Sequence, residues 1–147
     1  MAGGTSAGRG RGCSALPPPA PPRILLVDDE EGFRFAAGVA LRRGGYRVEE
    51  AADGKVALAT ALSARIAGDP FALVITDIRM PAMSGTELID ALRERGDRTA
   101  VGAITCFGDQ ALIAELAGKG CTEYLEKPFD PVELVAWVGR QLGEGGG

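Results

Sequence analysis

The feature that most constrains this chain is an alternation repeated five times between residues 23 and 142: a short apolar run, then a longer segment with helical spacing. The runs are Ile24-Leu25-Leu26-Val27, Tyr46-Arg47-Val48, Phe71-Ala72-Leu73-Val74-Ile75, Ala100-Val101-Gly102-Ala103-Ile104 and Glu123-Tyr124-Leu125. Several are apolar at consecutive positions, as strands covered on both faces are. The segments between them carry helix-start signals. Asp53 precedes residues 54–62, Ser84-Gly85-Thr86-Glu87 is a capping box, and Asp130-Pro131-Val132-Glu133 sets Asp, Pro and Glu at the N-cap, first and third positions. Phe33, Ala37 and Leu41 recur at helical spacing in the first helix, and Val135, Val138 and Leu142 in the last. Five such units predict an α/β fold: a doubly wound parallel sheet in strand order 2-1-3-4-5, with helices on both faces and right-handed crossovers. Tyr46-Arg47-Val48, the most polar run, is expected at an edge.

Composition sets the boundaries and removes several function classes. Residues 1–22 hold five Gly, five Pro, two Arg and no acid. They have little to bury and are expected to be a disordered tail, either a tether or a passive extension. Residues 143–147 are expected to be a flexible Gly-rich end, which leaves 23–142 as the folded domain. The net charge is −4, and without the tail 14 basic residues face 20 acidic ones. That balance argues against direct binding of nucleic acid, which rests on Lys and Arg neutralising phosphates, and points to cations or basic partners. The chain has no His, so Ser-His-Asp triads, Cys-His proteases, zinc metalloprotease motifs and a phosphohistidine of its own are excluded. No apolar stretch approaches the roughly 18 residues of a membrane helix, and the N-terminus lacks the apolar core of a signal peptide. A cytoplasmic protein with no membrane partner is expected. Cys13, Cys106 and Cys121 lack metal-ligand spacing and are expected to be free thiols. Cys106 and Cys121 fall at opposite ends of neighbouring strands, about 15 Å apart, too far for a disulfide.

In doubly wound sheets ligands bind outside the carboxyl ends of the strands, near the point where strand order reverses. The four ends that matter read Asp28-Asp29-Glu30, Thr76-Asp77, Ile104-Thr105 and Leu125-Glu126-Lys127-Pro128. Carboxylates gathered on one rim repel, by about 4 kcal/mol for a pair about 4 Å apart at an effective dielectric of 20, so they must protonate or share a cation. Oxygen donors without His suit Mg²⁺, which accepts two or three protein oxygens and keeps the rest of its shell for water and phosphate. Each residue also has an ordinary structural role open to it: Asp28 or Asp29 as a helix N-cap, Asp77 as a loop aspartate, Thr105 as a solvated strand end and Lys127 as a surface lysine. Their joint placement on four strand ends favours a site.

From Arg23 to Leu142 the chain resembles the receiver domain of a two-component response regulator, of the stand-alone chemotaxis type with a flavodoxin-like fold. The matching pieces are Ile24-Leu25-Leu26-Val27-Asp28-Asp29-Glu30, Asp77-Ile78-Arg79-Met80-Pro81 followed by Ser84-Gly85, Thr105, and Tyr124-Leu125-Glu126-Lys127-Pro128-Phe129. The resemblance implies that Asp77 is the phosphoacceptor, taking a phosphoryl group from the phosphohistidine of a sensor histidine kinase or a phosphotransfer protein. It implies Mg²⁺ held by Asp29, Asp77 and the backbone carbonyl of Arg79, with Asp28 acting largely through a metal-bound water. Lys127 would pair with Asp77 and then with its phosphate, and Thr105 would hydrogen-bond a phosphoryl oxygen. Tyr124 occupies the family's switch position, so that phosphorylation would remodel the face of helix four, strand five and helix five. An aromatic packed statically at the core edge is the other reading of Tyr124. A cis Lys127-Pro128 peptide is implied as well.

Cys106 stands where the family usually has a small Ala or Gly, and with Phe107 after it would crowd access to Asp77, although Cys106 also suits a buried apolar thiol. Arg79 would either tune partner choice and hydrolysis or simply be solvated. No output domain follows Leu142, so the output acts on an effector in trans or the chain is part of something longer; a monomer and a phosphorylation-dependent dimer are both open. A receiver-like binding module that works without phosphorylation is the alternative function. A phosphatase or nucleotide hydrolase is disfavoured because Asp77-Ile78-Arg79 has no second Asp two residues on and no Gly-rich phosphate loop exists. A flavin-type phosphate site is disfavoured by the acidic first strand-helix turn.

Overall fold

The computed structural model describes residues 20–143 except 107 and 122. Of the expected tail at 1–22 and the expected end at 143–147, residues 1–19 and 144–147 lie outside the described residues, as do Cys13 and Phe107. Ten elements alternate: β1 (Arg23–Val27), α1 (Glu31–Arg43), β2 (Arg47–Ala51), α2 (Gly54–Ile66), β3 (Leu73–Asp77), α3 (Gly85–Glu94), β4 (Ala100–Cys106), α4 (Gln110–Gly118), β5 (Tyr124–Lys127) and α5 (Pro131–Gln141). The strands form one parallel sheet in order β2-β1-β3-β4-β5, the expected order.

Three of the five helix starts, those of α2, α3 and α5, follow their capping chemistry, while α1 and α4 begin without a side-chain cap. Asp53 accepts from Val56 N, and both Ser84 and Asp130 close capping boxes, with Glu87 and Glu133 respectively. Strand side chains alternate between two cores. Leu25, Val27 and Val74 pack under α2, α3 and α4 with Ala57, Leu88 and Leu116. Ile24, Leu26, Ile75 and Ile104 pack under α1 and α5 with Leu41, Leu134, Trp137 and Val138. Gly102 of β4 belongs to the second packing, because a Cβ there would overlap the Trp137 indole. The edge strand β2 begins one residue later than its apolar run and includes Glu49 and Glu50. Glu50 is accommodated there by ion pairs to Arg34 at 3.3 Å and Arg42 at 3.4 Å. Strands β3 and β5 run further toward their carboxyl ends than the apolar runs, so Asp77 and Lys127 are their last residues. No described helix is long and apolar enough to cross a membrane.

Candidate functional site

Strand β1 stops at Val27 and hands the chain to Asp28, which is fully buried. The residue is held in place by its own backbone: Asp28 N donates to the Ala51 carbonyl at 3.2 Å, and the Asp28 carbonyl accepts from Arg34 Nη1 at 2.7 Å. Its Oδ1 accepts from Glu30 N at 2.9 Å. This corrects the N-cap alternative for Asp28 or Asp29, since the N-cap residue of α1 is Glu30, which makes no side-chain cap bond. The Asp28 carboxylate is thereby fixed at the rim, and Asp29 beside it is exposed.

Asp77 reaches the same rim from β3. Gly85 allows this packing, since a Cβ at that position would come within 2.8 Å of the Asp77 carbonyl. One carboxylate oxygen from each of Asp28, Asp29 and Asp77 lies within 4.8 Å of the others. Asp77 Oδ1 accepts from Arg79 N at 3.2 Å. Lys127, at the end of β5, places Nζ 3.1 Å from Asp28 Oδ2 and 3.4 Å from Asp77 Oδ2, and 4.0 Å from Glu30 Oε1. The Lys127-Pro128 peptide is cis. Burial pushes the Asp77 carboxyl above its ordinary value and the Asp28 charge adds to this, against the pull of Lys127 and the Arg79 N–H. For Lys127 burial acts downward, and the charges of Asp28 and Asp77 outweigh it and hold the ammonium above its ordinary value. The rim is thus short of positive charge by chemistry as well as by count, and its all-oxygen donor set fits a small hard divalent cation.

Thr105, one residue from the end of β4, is buried, and its Oγ1 has no hydrogen-bond partner among the described residues. Such a hydroxyl costs about 1–3 kcal/mol unless something satisfies it. Tyr124 opens β5 in register with Ala103, hence on the same sheet face as Thr105. Its side chain is 39 % exposed, outside the core rather than packed into it. Arg79 is not merely solvated: its Nε and Nη2 both lie 2.8 Å from Asp109 Oδ2, at the start of α4. Cys106 is exposed, not buried, as the last residue of a strand whose interior is covered and whose two ends are not. Cys121 is buried, with Sγ 3.5 Å from the Val101 carbonyl near the far end of β4. Both thiols are free.

Four participants were not singled out from sequence. Phe33 reads there only as one of a core-facing stripe, yet its ring lies under the Lys127 ammonium at 4.2 Å. Its signal was the position of a large aromatic in the first turn after the acidic strand end. Asp109 and Glu30 carry no sequence signal for their contacts with Arg79 and Lys127. Glu126, quoted from sequence only as a neighbour of Lys127, accepts from Gly108 N through its Oε2 at 3.2 Å.

A family model described as the response regulator receiver domain matches residues 24–139. Transcriptional regulatory protein FixJ of Azorhizobium caulinodans is 33 % identical over 120 residues, covering 82 % of this chain and 54 % of that protein. Regulatory protein AtoC of Escherichia coli is 36 % identical over 120 residues, covering 82 % of this chain and 25 % of that protein. The chain therefore spans about half of the first relative and a quarter of the second. Among solved structures, the Vibrio cholerae chemotaxis protein CheY4 superposes with TM-score 0.76 at 35 % identity, covering 84 % of this chain and all of that one.

Proposed function

The chain belongs to the response regulator receiver domain family, and from that premise we propose that it is a phosphorylatable signalling switch whose acceptor is Asp77. The observation that carries this reading is the convergence of the Asp28, Asp29 and Asp77 carboxylates within 4.8 Å, with Lys127 Nζ bridging Asp28 and Asp77. A carboxylate nucleophile beside a cation site and a lysine is equipped for phosphoryl acceptance. The unit that carries it spans residues 23–142.

In the step proposed, an Asp77 carboxylate oxygen forms a bond to the phosphorus of a phosphohistidine on a sensor histidine kinase or phosphotransfer protein. The phosphorus–nitrogen bond breaks, its electron pair stays on the imidazole, and the imidazole takes a proton from solvent. Asp29, Asp77 and the Arg79 carbonyl would hold Mg²⁺, with Asp28 contributing through a water. The bound ion supplies charge neutralisation on the phosphoryl oxygens. Lys127 follows the charge from the Asp77 carboxylate to a phosphoryl oxygen. Thr105 Oγ1, buried and without a partner among the described residues, donates to another, which meets its unsatisfied hydrogen bond. Hydrolysis of the acyl phosphate by water returns Asp77 and inorganic phosphate.

Output follows from Thr105. Drawn toward the phosphoryl group, it leaves room on its sheet face for Tyr124, exposed in this structure, to turn inward. The face of α4, β5 and α5 then shifts population toward a form read by an effector protein in the cytoplasm, with the receiver as a monomer or as a phosphorylation-dependent dimer. The test is intact mass of the chain after incubation with acetyl phosphate and Mg²⁺, beside Asp77→Asn. A Mg²⁺-dependent phosphoryl adduct absent from the variant supports the switch. No adduct on wild type, from acetyl phosphate or from a phosphorylated histidine donor, leaves a phosphorylation-independent binding module.

A further inference from the structure

Three of the contacts of Lys127 are with carboxylates and the fourth is with an uncharged ring. Its Nζ lies 4.2 Å from the centroid of Phe33, inside the roughly 6 Å over which an aromatic face attracts an ammonium. Phe33 sits in the first turn of α1, and its ring has a second aromatic partner. Phe129 stands nearly perpendicular to it, with centroids 5.6 Å apart and planes at 82°, the T-shaped arrangement that aromatic pairs favour. Both rings pack against the core under α1 and α5. Phe129 lies two residues beyond Lys127, across the cis bond to Pro128, so the strand end that delivers the lysine also braces the ring beneath it.

We infer that Phe33 is a positioning residue for phosphoryl acceptance, holding the Lys127 ammonium at the pocket by cation–π attraction while its carboxylate partners are taken up by the reaction. The inference rests on the function proposed above. Asp28 and Asp77 are shared between Lys127 and the cation site, and Asp77 gives up its charge to an acyl phosphate. Their hold on the lysine therefore changes through the reaction, and the hold of the ring does not. A ring also attracts the ammonium without adding negative charge, so it neither repels the incoming phosphoryl group nor competes as an anion for the lysine. An aliphatic side chain at this position would fill the same space and leave the ammonium free to follow the carboxylates. Preorganisation of a charge-stabilising group is where such a contact acts on rate.

The test compares wild type with Phe33→Leu, Phe33→Tyr and Phe33→Trp, together with the full chain carrying one, two or three ring fluorines at Phe33. Fluorine drains the ring face of negative potential and alters its shape little. Two readouts are taken: the chemical shift of the Lys127 ε-methylene protons, and the initial rate of phosphorylation by acetyl phosphate with Mg²⁺. The expected result is an upfield ring-current shift in wild type and the fluorinated chains that is lost in Phe33→Leu. The rate falls about threefold to tenfold in Phe33→Leu, declines stepwise with fluorine number, and is retained in the Tyr and Trp variants. If Phe33→Leu does not fold, the fluorine series decides alone. A wild-type chain without the upfield shift, or a rate indifferent to fluorine, overturns the inference and leaves phosphoryl acceptance standing. A wild-type chain that shows the shift but gains no phosphoryl group from either donor overturns the function and this inference with it.

Discussion

Lys127 Nζ lies 3.1 Å from Oδ2 of Asp28, a carboxylate with no surface exposed to solvent. A buried charge whose partner is removed costs far more than the pair contributes. Lys127→Met is therefore expected to lower the unfolding free energy by about 3 kcal/mol without divalent cation. Mg²⁺ is then expected to stabilise the variant more than wild type, since it supplies the missing positive charge. Urea titrations with and without Mg²⁺ check both; equal stabilisation of the two chains contradicts the assignment.

Asp77 gives a pH dependence of definite sign. Its folded-state pKa is raised above the ordinary 3.8, by burial first and by the Asp28 charge second. The folded state thus holds this proton more tightly, and stability falls as pH rises from the ordinary value through the raised one. Asp77→Asn is expected to melt above wild type at neutral pH, with the gap closing as pH drops below the ordinary carboxylate value. Melting curves across that range test it, and a gap that widens toward acid would show the opposite sign.

Ala82, in the loop that follows Asp77, has φ 66°, the left-handed region that costs a residue with a Cβ about 1–2 kcal/mol. Ala82→Gly is expected to raise stability by about 1 kcal/mol, after its greater unfolded-state entropy is set against the relief. Denaturant midpoints with an unchanged slope check this; a loss of stability would mean that the loop does not carry the strain.

The Arg79–Asp109 pair joins the β3–α3 loop to the start of α4 beside the acceptor pocket. Arg79→Ala and Asp109→Asn are each expected to speed loss of the phosphoryl group by about twofold to fivefold, and the double variant no more than either. The hydrogen bond from Arg79 holds the Asp109 carboxyl below its ordinary value. The contribution of the pair is therefore present above the ordinary value and lost as pH falls through the lowered one. High salt is expected to weaken the coupling, because the Arg79 side chain is solvent-exposed. Fully additive rates would show that the two side chains act separately.

The sheet order and the starts of α2, α3 and α5 were legible in sequence because local chemistry fixes them: consecutive apolar positions, an Asp53, Ser84 or Asp130 cap, and a Pro at the first turn of α5. The acid cluster was legible because strand ends converge in this topology whatever the side chains. Packing partners were not. Cys106 suited a buried thiol by type, but it is the exposed last residue of β4. Asp28 suited an N-cap by type, but its carboxylate takes the Glu30 N–H and leaves Glu30 as the N-cap residue of α1. Arg79 with Asp109, 30 residues apart, and Phe33 with Lys127 are long-range pairs. No periodicity or spacing encodes them.

The central claim is that Asp77, and no neighbouring carboxylate, carries the phosphoryl group. Borohydride reduces an acyl phosphate of aspartate to homoserine, which peptide mass spectrometry then locates. After acetyl phosphate and Mg²⁺, the account predicts conversion at Asp77 alone, dependent on Mg²⁺ and slowed in Lys127→Met. Conversion at Asp28 or Asp29, or none at any of the three, would contradict it.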